Sequence, residues 1–115
     1  MKKINIIKDS NEFNSIIKDN IFVKDKNLVI YYKDKRLDNY RFGITVPKKN
    51  GKAHLRNYYK RIIRNICDIN KLCYSKDKDY IIIVRKGSLE ATYQEIEESF
   101  KELMSKIEKE CNYEK

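Results

Sequence analysis

Apolar residues recur along the chain in rhythms that change from segment to segment. Near the start, Phe13, Ile16 and Ile17 fall on one face of a helix. Asp9 and Glu12 stand three apart just before them, the spacing of a capping box, which predicts a short helix over about 10–18. Two β-rich runs follow, Asn27 to Tyr32 and Tyr40 to Val46, joined by a charged, turn-like linker from Lys33 to Asn39. They are expected to form an antiparallel hairpin, with a weaker strand near 21–23. Pro47 has no N–H for a ladder and should end the second strand.

Asn50-Gly51 then breaks the chain before a long helical pattern over about 53–70. Leu55, Tyr59, Ile62, Ile66 and Ile69 recur at steps of four, three, four and three, one apolar stripe. At 100° per residue from Arg56 the stripe spans about 220° to 300°, with Ile63 and Cys67 intruding at its border. Asp79 to Val84 lacks alternation, as a strand covered on both faces does. Thr92 and Glu95 form a second capping box ahead of Tyr93, Ile96, Phe100, Leu103 and Ile107, with acids on the outer side of that last helix. The order is α-β-β-α-β-α. The predicted fold is an α+β sandwich, a small mixed sheet packed by helices, in one domain spanning residues 1–115.

Composition changes this picture only where it is local. The net charge is +9, but Lys, Ile, Asn and Tyr supply 57 of the 115 residues, a bias that alone inflates the basic count. Distribution is more telling. From Asn39 to Cys67 there is no acid, while Arg41, Lys48, Lys49, Lys52, Arg56, Lys60, Arg61 and Arg64 supply eight positive charges. On the helical wheel Lys52, Arg56, Lys60, Arg64, Asn57 and Arg61 run from about 320° through 0° to 140°, opposite the stripe. A single-sign face with helical spacing suits successive phosphates, and its arginines hold them bidentately. Asn57 adds a group able to meet a base or sugar edge. Lys48 and Lys49 precede the helix N-terminus, where backbone amides also favour anions. Phe13, Tyr31 and Tyr32 are candidates either for a sheet surface on which unpaired bases stack or for the core, and alternation sends Tyr31 and Tyr32 to opposite faces, so one of them can serve a given cleft. Tyr59 belongs to the core stripe and Tyr58 is expected outside.

Other chemistries find little support. Three cysteines (Cys67, Cys73, Cys111) and the single His54 match no zinc spacing and read as small apolar residues in a cytosolic protein. One histidine, three glycines and no paired-acid motif leave no triad, no phosphate loop and no acid–base pair. No apolar run reaches membrane-spanning length, and the N-terminus lacks a signal-peptide core.

The segment Arg41-Phe-Gly-Ile-Thr-Val-Pro-Lys-Lys-Asn-Gly-Lys-Ala-His-Leu-Arg-Asn-Tyr-Tyr-Lys-Arg-Ile-Ile-Arg64 resembles the signature of the bacterial ribonuclease P protein family. That signature is R-x-G-hydrophobic-S-V-x-K-K followed by G-x-A-x-x-R-N-R-x-K-R-x-x-R. The similarity extends to Ile7–Phe13, Val29–Tyr31, Asp79–Lys86 and the last helix. It implies a protein subunit without catalytic side chains, whose catalytic RNA and Mg²⁺ hydrolyse precursor tRNA. The protein would bind that RNA and hold the 5′ leader in a cleft between the first helix and the sheet. Lys48, Lys49, Arg56, Asn57, Lys60, Arg61 and Arg64 would contact the catalytic RNA or support metal-dependent positioning; Phe13 and Tyr31 would line the leader cleft. Two positions depart from the pattern, Tyr58 for an arginine and Ile17 for a cleft aromatic, and no role is carried onto either. The resemblance also implies a left-handed β-α-β crossover, against the usual hand. The competing readings are a ribosomal or other structural RNA-binding protein and a self-sufficient small nuclease.

Overall fold

The computed structural model describes residues 5–34, 40–74 and 77–113, with side chains of the last helix described through Glu108. Residues 35–39 of the expected linker and the side chain of Cys111 lie outside this set. The described elements are α1 (Ser10–Lys18), β1 (Phe22–Lys24), β2 (Leu28–Asp34), β3 (Arg41–Thr45), α2 (Ala53–Ile69), β4 (Lys78–Val84) and α3 (Tyr93–Tyr113). Single 3₁₀ turns at Lys48–Asn50, Lys71–Cys73 and Lys86–Glu90 link the later elements.

The second expected capping box forms in full and the first in half, since Asp9 caps α1 while Glu12 pairs instead with Arg41. The Asp9 carboxylate accepts the Asn11 N–H at 2.8 Å. At α3 the exchange is reciprocal: Thr92 N–H donates to Glu95 Oε1 at 2.9 Å and Glu95 N–H to Thr92 Oγ1 at 3.2 Å. These bonds favour the ionised Glu95 carboxylate and lower its pKa.

The sheet corrects the expected hairpin. Its order is β1-β2-β4-β3. β2 pairs antiparallel with β1 and β4, and β3 pairs in parallel with β4, so β2 and β3 never touch as neighbours. Tyr80, Ile81, Ile82 and Val84 are fully buried, and only a strand with neighbours on both edges and cover on both faces reaches that state. Burying the most apolar strand at the centre outweighs the shorter loop that a β2–β3 hairpin would need. The weak strand near 21–23 forms as β1. The outer edge of β3 is met by the N-terminal segment, Ile7 N–H donating to Phe42 C=O at 2.9 Å.

One face of the sheet carries α2 and α3. Leu28, Ile30, Phe42, Tyr80, Ile82 and Val84 pack there against Ile63, Ile66, Cys67, Ile96, Phe100, Leu103, Met104 and Ile107. Phe42 stacks on Tyr80 with centroids 5.0 Å apart, and Tyr74 stands edge-on to Phe42 at the same distance. The Tyr74 hydroxyl donates to Cys67 C=O at 2.9 Å. Burial pushes the Cys67 thiol and the Tyr74 phenol well above their usual pKa values. Among the described residues the other face carries α1, whose Ile16, with Ile7, covers Ile81 beside Phe13, Ile17, Tyr31 and Ile83. Val29, Tyr31 and Ile83 on that second face stay partly exposed.

Candidate nucleic-acid interface

Helix α2 is rotated relative to the expected stripe. Its buried residues are Ile63, Ile66 and Cys67, at about 340°, 280° and 20° on the wheel. Leu55 and Ile69 from the stripe are 39% and 61% exposed. Ile63 and Cys67, the border intruders, thus join Ile66 of the stripe in the core, while Tyr59 and Ile62 pack partly against it. The sheet and α3 select the face that meets them, and two close-packed residues outweigh the symmetry of the apolar pattern.

The rotation divides the cations. Asn57, Arg61 and Arg64 are exposed, whereas Arg56 and Lys60 are half-buried along the seam. Arg56 Nε is enclosed and has no hydrogen-bond partner among the described residues. Lys48 and Lys49 are exposed on the 3₁₀ turn after Pro47. Buried Asn50 pins that turn, its Nδ2 donating to Val84 C=O at 3.0 Å. Gly51 then takes φ 150°, a conformation that favours glycine, and turns the chain into α2. Lys52 is the exposed N-cap and makes no side-chain capping bond. Among the described residues, Lys48, Lys49, Lys52, Arg56, Lys60, Arg61 and Arg64 form no ion pair with a carboxylate.

Arg41 is placed differently. Its guanidinium is bidentate to Asp79, Nε to Oδ1 at 3.0 Å and Nη2 to Oδ2 at 2.7 Å, and Nη2 also pairs with Glu12. The Asp79 hydrogen bonds raise the Arg41 pKa further above its ordinary value. The expected acid-free block therefore loses its first member in the fold: Arg41 joins α1, β3 and β4 at the opposite end of β3 from Lys48 and Lys49. These residues line a cavity of about 380 Å³ with Asn11, Ser15, Lys33 and Asp34.

Phe13 and Tyr31 do share the open sheet face, and Tyr32 packs on the opposite one. Phe13 comes so close to β3 that a Cβ on Gly43 would lie 2.7 Å from its ring. Arg64 lines a small pocket with Phe13, Gly43, Phe42, Ile44, Ile6 and Ile7, so the cationic side of α2 and helix α1 meet at that pocket. Tyr31 is flanked by Phe22, with ring centroids 5.2 Å apart.

Sequence reasoning missed Arg85 and Lys86. Because β3 and β4 are parallel neighbours, their C-terminal ends share one end of the sheet. Lys49 therefore meets Arg85 and Lys86 around a groove of about 560 Å³ floored by Val29, Ile83 and Pro47. The Arg-Lys pair after the all-apolar strand was the available signal, and the assumed hairpin hid its neighbour.

Comparison with known proteins identifies the family of the chain. The family model described as Ribonuclease P matches residues 1–108. The ribonuclease P protein component of Bacillus pumilus is 36% identical over 107 residues, covering 92% of this chain and 90% of the relative. That of Streptococcus pyogenes is 38% identical over 100 residues, covering 86% and 82%. The solved ribonuclease P protein of Staphylococcus aureus superposes with a TM-score of 0.80 at 33% identity, covering 89% of this chain and 94% of that one. The Thermotoga maritima protein gives 0.79 at 27%, covering 87% and 94%. The four-stranded mixed sheet with its three helices, the basic helix and these matches lead to one conclusion: the chain belongs to the ribonuclease P protein component family, whose role is the 5′ maturation of tRNA.

Proposed function

We propose that this chain acts as a clamp between two RNAs, gripping the catalytic RNA of ribonuclease P with the outer side of α2 and the 5′ leader of precursor tRNA with the open sheet face. The observation that carries this reading is the meeting of the two surfaces at the pocket shared by Arg64 and Phe13. Arg61, Arg64, Lys48, Lys49 and Lys52 offer charge to phosphates. Arg56, with its enclosed Nε, offers its outer nitrogens to one phosphate in a fixed direction. Phe13 and Tyr31 provide ring faces for unpaired leader bases, and Lys49, Arg85 and Lys86 collar a second groove floored by Val29 and Ile83.

Bond hydrolysis is assigned in this reading to the RNA. Mg²⁺ takes hard oxygen ligands, yet Glu12 and Asp79 beside the cleft are engaged by Arg41, and Asp34 by Lys78. That donor set does not suit a resident divalent ion, so the Mg²⁺ of the reaction is proposed to sit on RNA phosphates, with the protein lowering phosphate repulsion nearby. No helix among the described residues is long and apolar enough to cross a membrane, and the cytoplasm is the proposed compartment.

Reconstitution tests the assignment. Precursor tRNA is incubated in Mg²⁺ with the protein, the catalytic RNA, or both, near physiological salt. Cleavage at the mature 5′ end is expected only with both present. Cleavage by the protein alone would make it a nuclease in its own right, and recovery of ribosomal RNA alone with protein purified from its cell would make it a structural RNA binder.

A further inference from the structure

The outward side of α2 presents more than charge. Tyr58 is 50% exposed, and its ring stands edge-on to Tyr59, with centroids 5.4 Å apart and planes at 74°. Tyr59 is half-buried and packs against the core. The partly buried ring thus buttresses its neighbour, and half of the Tyr58 surface stays in solvent. Among the described residues the Tyr58 hydroxyl has no hydrogen-bond partner. On the helix surface Tyr58 neighbours Arg61, three residues on and exposed, and Leu55, three residues back and 39% exposed. Its place is the border between the cationic sector and the strip that the rotation of α2 leaves uncovered.

A helix that met only phosphates would need cations there and no aromatic plane. An open ring next to an unpaired guanidinium suits a nucleotide: the base stacks on the ring while its phosphate reaches the arginine. We infer that Tyr58 is a stacking platform for an unpaired nucleobase of the catalytic RNA, with Arg61 holding the adjoining phosphate. This inference rests on the reading of α2 as the face that grips the catalytic RNA. The leader is not the occupant, because Arg64, which lines the Phe13 pocket, lies about 120° around the helix from Tyr58. Among the described residues the Tyr58 ring meets no aromatic but its neighbour Tyr59.

The experiment measures affinity of the full chain for transcribed ribonuclease P RNA from the organism that encodes it, across a salt series. Tyr58→Phe should bind as the unaltered chain does. Tyr58→Ala should bind about 5- to 150-fold more weakly, the range for loss of one base–aromatic stack, with its salt slope unchanged because no phosphate contact is lost. Tyr58→Leu keeps an apolar cover over Tyr59 and should weaken binding as Ala does, which separates stacking from helix packing. Affinity of the assembled holoenzyme for precursor tRNA should not move. Equal binding by Tyr58→Ala and the unaltered chain overturns the inference. So does a Tyr58→Phe variant as weak as Ala, which would mean a hydroxyl contact. Loss of self-association on Tyr58→Ala with RNA affinity intact also overturns it, making the ring a protein contact. If the unaltered chain binds no ribonuclease P RNA, the reading of α2 fails first, and that result is distinguishable from all of these.

Discussion

Gly43 shows how a single missing atom shapes the cleft. Its place on β3 lets Phe13 lie where a Cβ would be 2.7 Å from the ring. Gly43→Ala must therefore push Phe13 and α1 outward or strain the strand, an overpacking cost of about 1–3 kcal/mol. The urea midpoint should fall accordingly. Precursor tRNA binding by the holoenzyme should weaken more than binding of the catalytic RNA, since Phe13 faces the leader cleft. Equal losses on both RNAs would separate Phe13 from the leader. The arginine-to-glycine spacing of this segment was visible in the sequence, but the ring that requires the glycine comes from a helix some thirty residues earlier.

At the scale of elements, α1 is held on the sheet by few groups, and the Arg41–Asp79–Glu12 cluster is the main polar one. Asp79 is 6% exposed, so removing its guanidinium leaves a carboxylate in poor solvent. Breaking a buried pair costs about 3–5 kcal/mol, and the partial exposure of Arg41 puts this cluster toward or below the low end. Arg41→Met is expected to lower the thermal midpoint while leaving the salt slope for the catalytic RNA unchanged. A flattened slope with unchanged stability would return Arg41 to the phosphate-contacting set. Charge counting along the chain placed it in that set because its acidic partners are distant in sequence, Asp79 by 38 residues. The rotation of α2 has a similar origin: periodicity located the helix and its apolar half, but the choice of inward-facing residues within that half belongs to the surfaces it packs against.

At the scale of the whole molecule, Lys48, Lys49, Arg61, Arg64, Arg85 and Lys86 face solvent on α2 and at the C-terminal end of the sheet, while Glu95, Glu98 and Glu102 are exposed on α3. Each phosphate engaged contributes roughly 0.7 to 0.9 log units of affinity per log unit of salt. Arg61→Ala should reduce the slope for the catalytic RNA by about one phosphate, with no loss of stability because the side chain is exposed. Lys86→Ala should instead weaken holoenzyme affinity for precursor tRNA and spare the catalytic RNA. If both variants act on the same RNA in equal measure, the two surfaces are one site and not two.

The helices, their caps, the strand segments and the basic block were written locally, because a capping box or a 3.6-residue period involves residues within a turn or two of one another. Family membership was legible for the same reason, since Lys48 to Arg64 is contiguous. Strand order, the partners of Arg41, the inward face of α2 and the meeting of Lys49 with Arg85 and Lys86 were settled only by the tertiary structure. All four go with placing β4 inside the sheet, where Tyr80, Ile81, Ile82 and Val84 are fully buried, and that choice depends on competition among surfaces far apart in the chain.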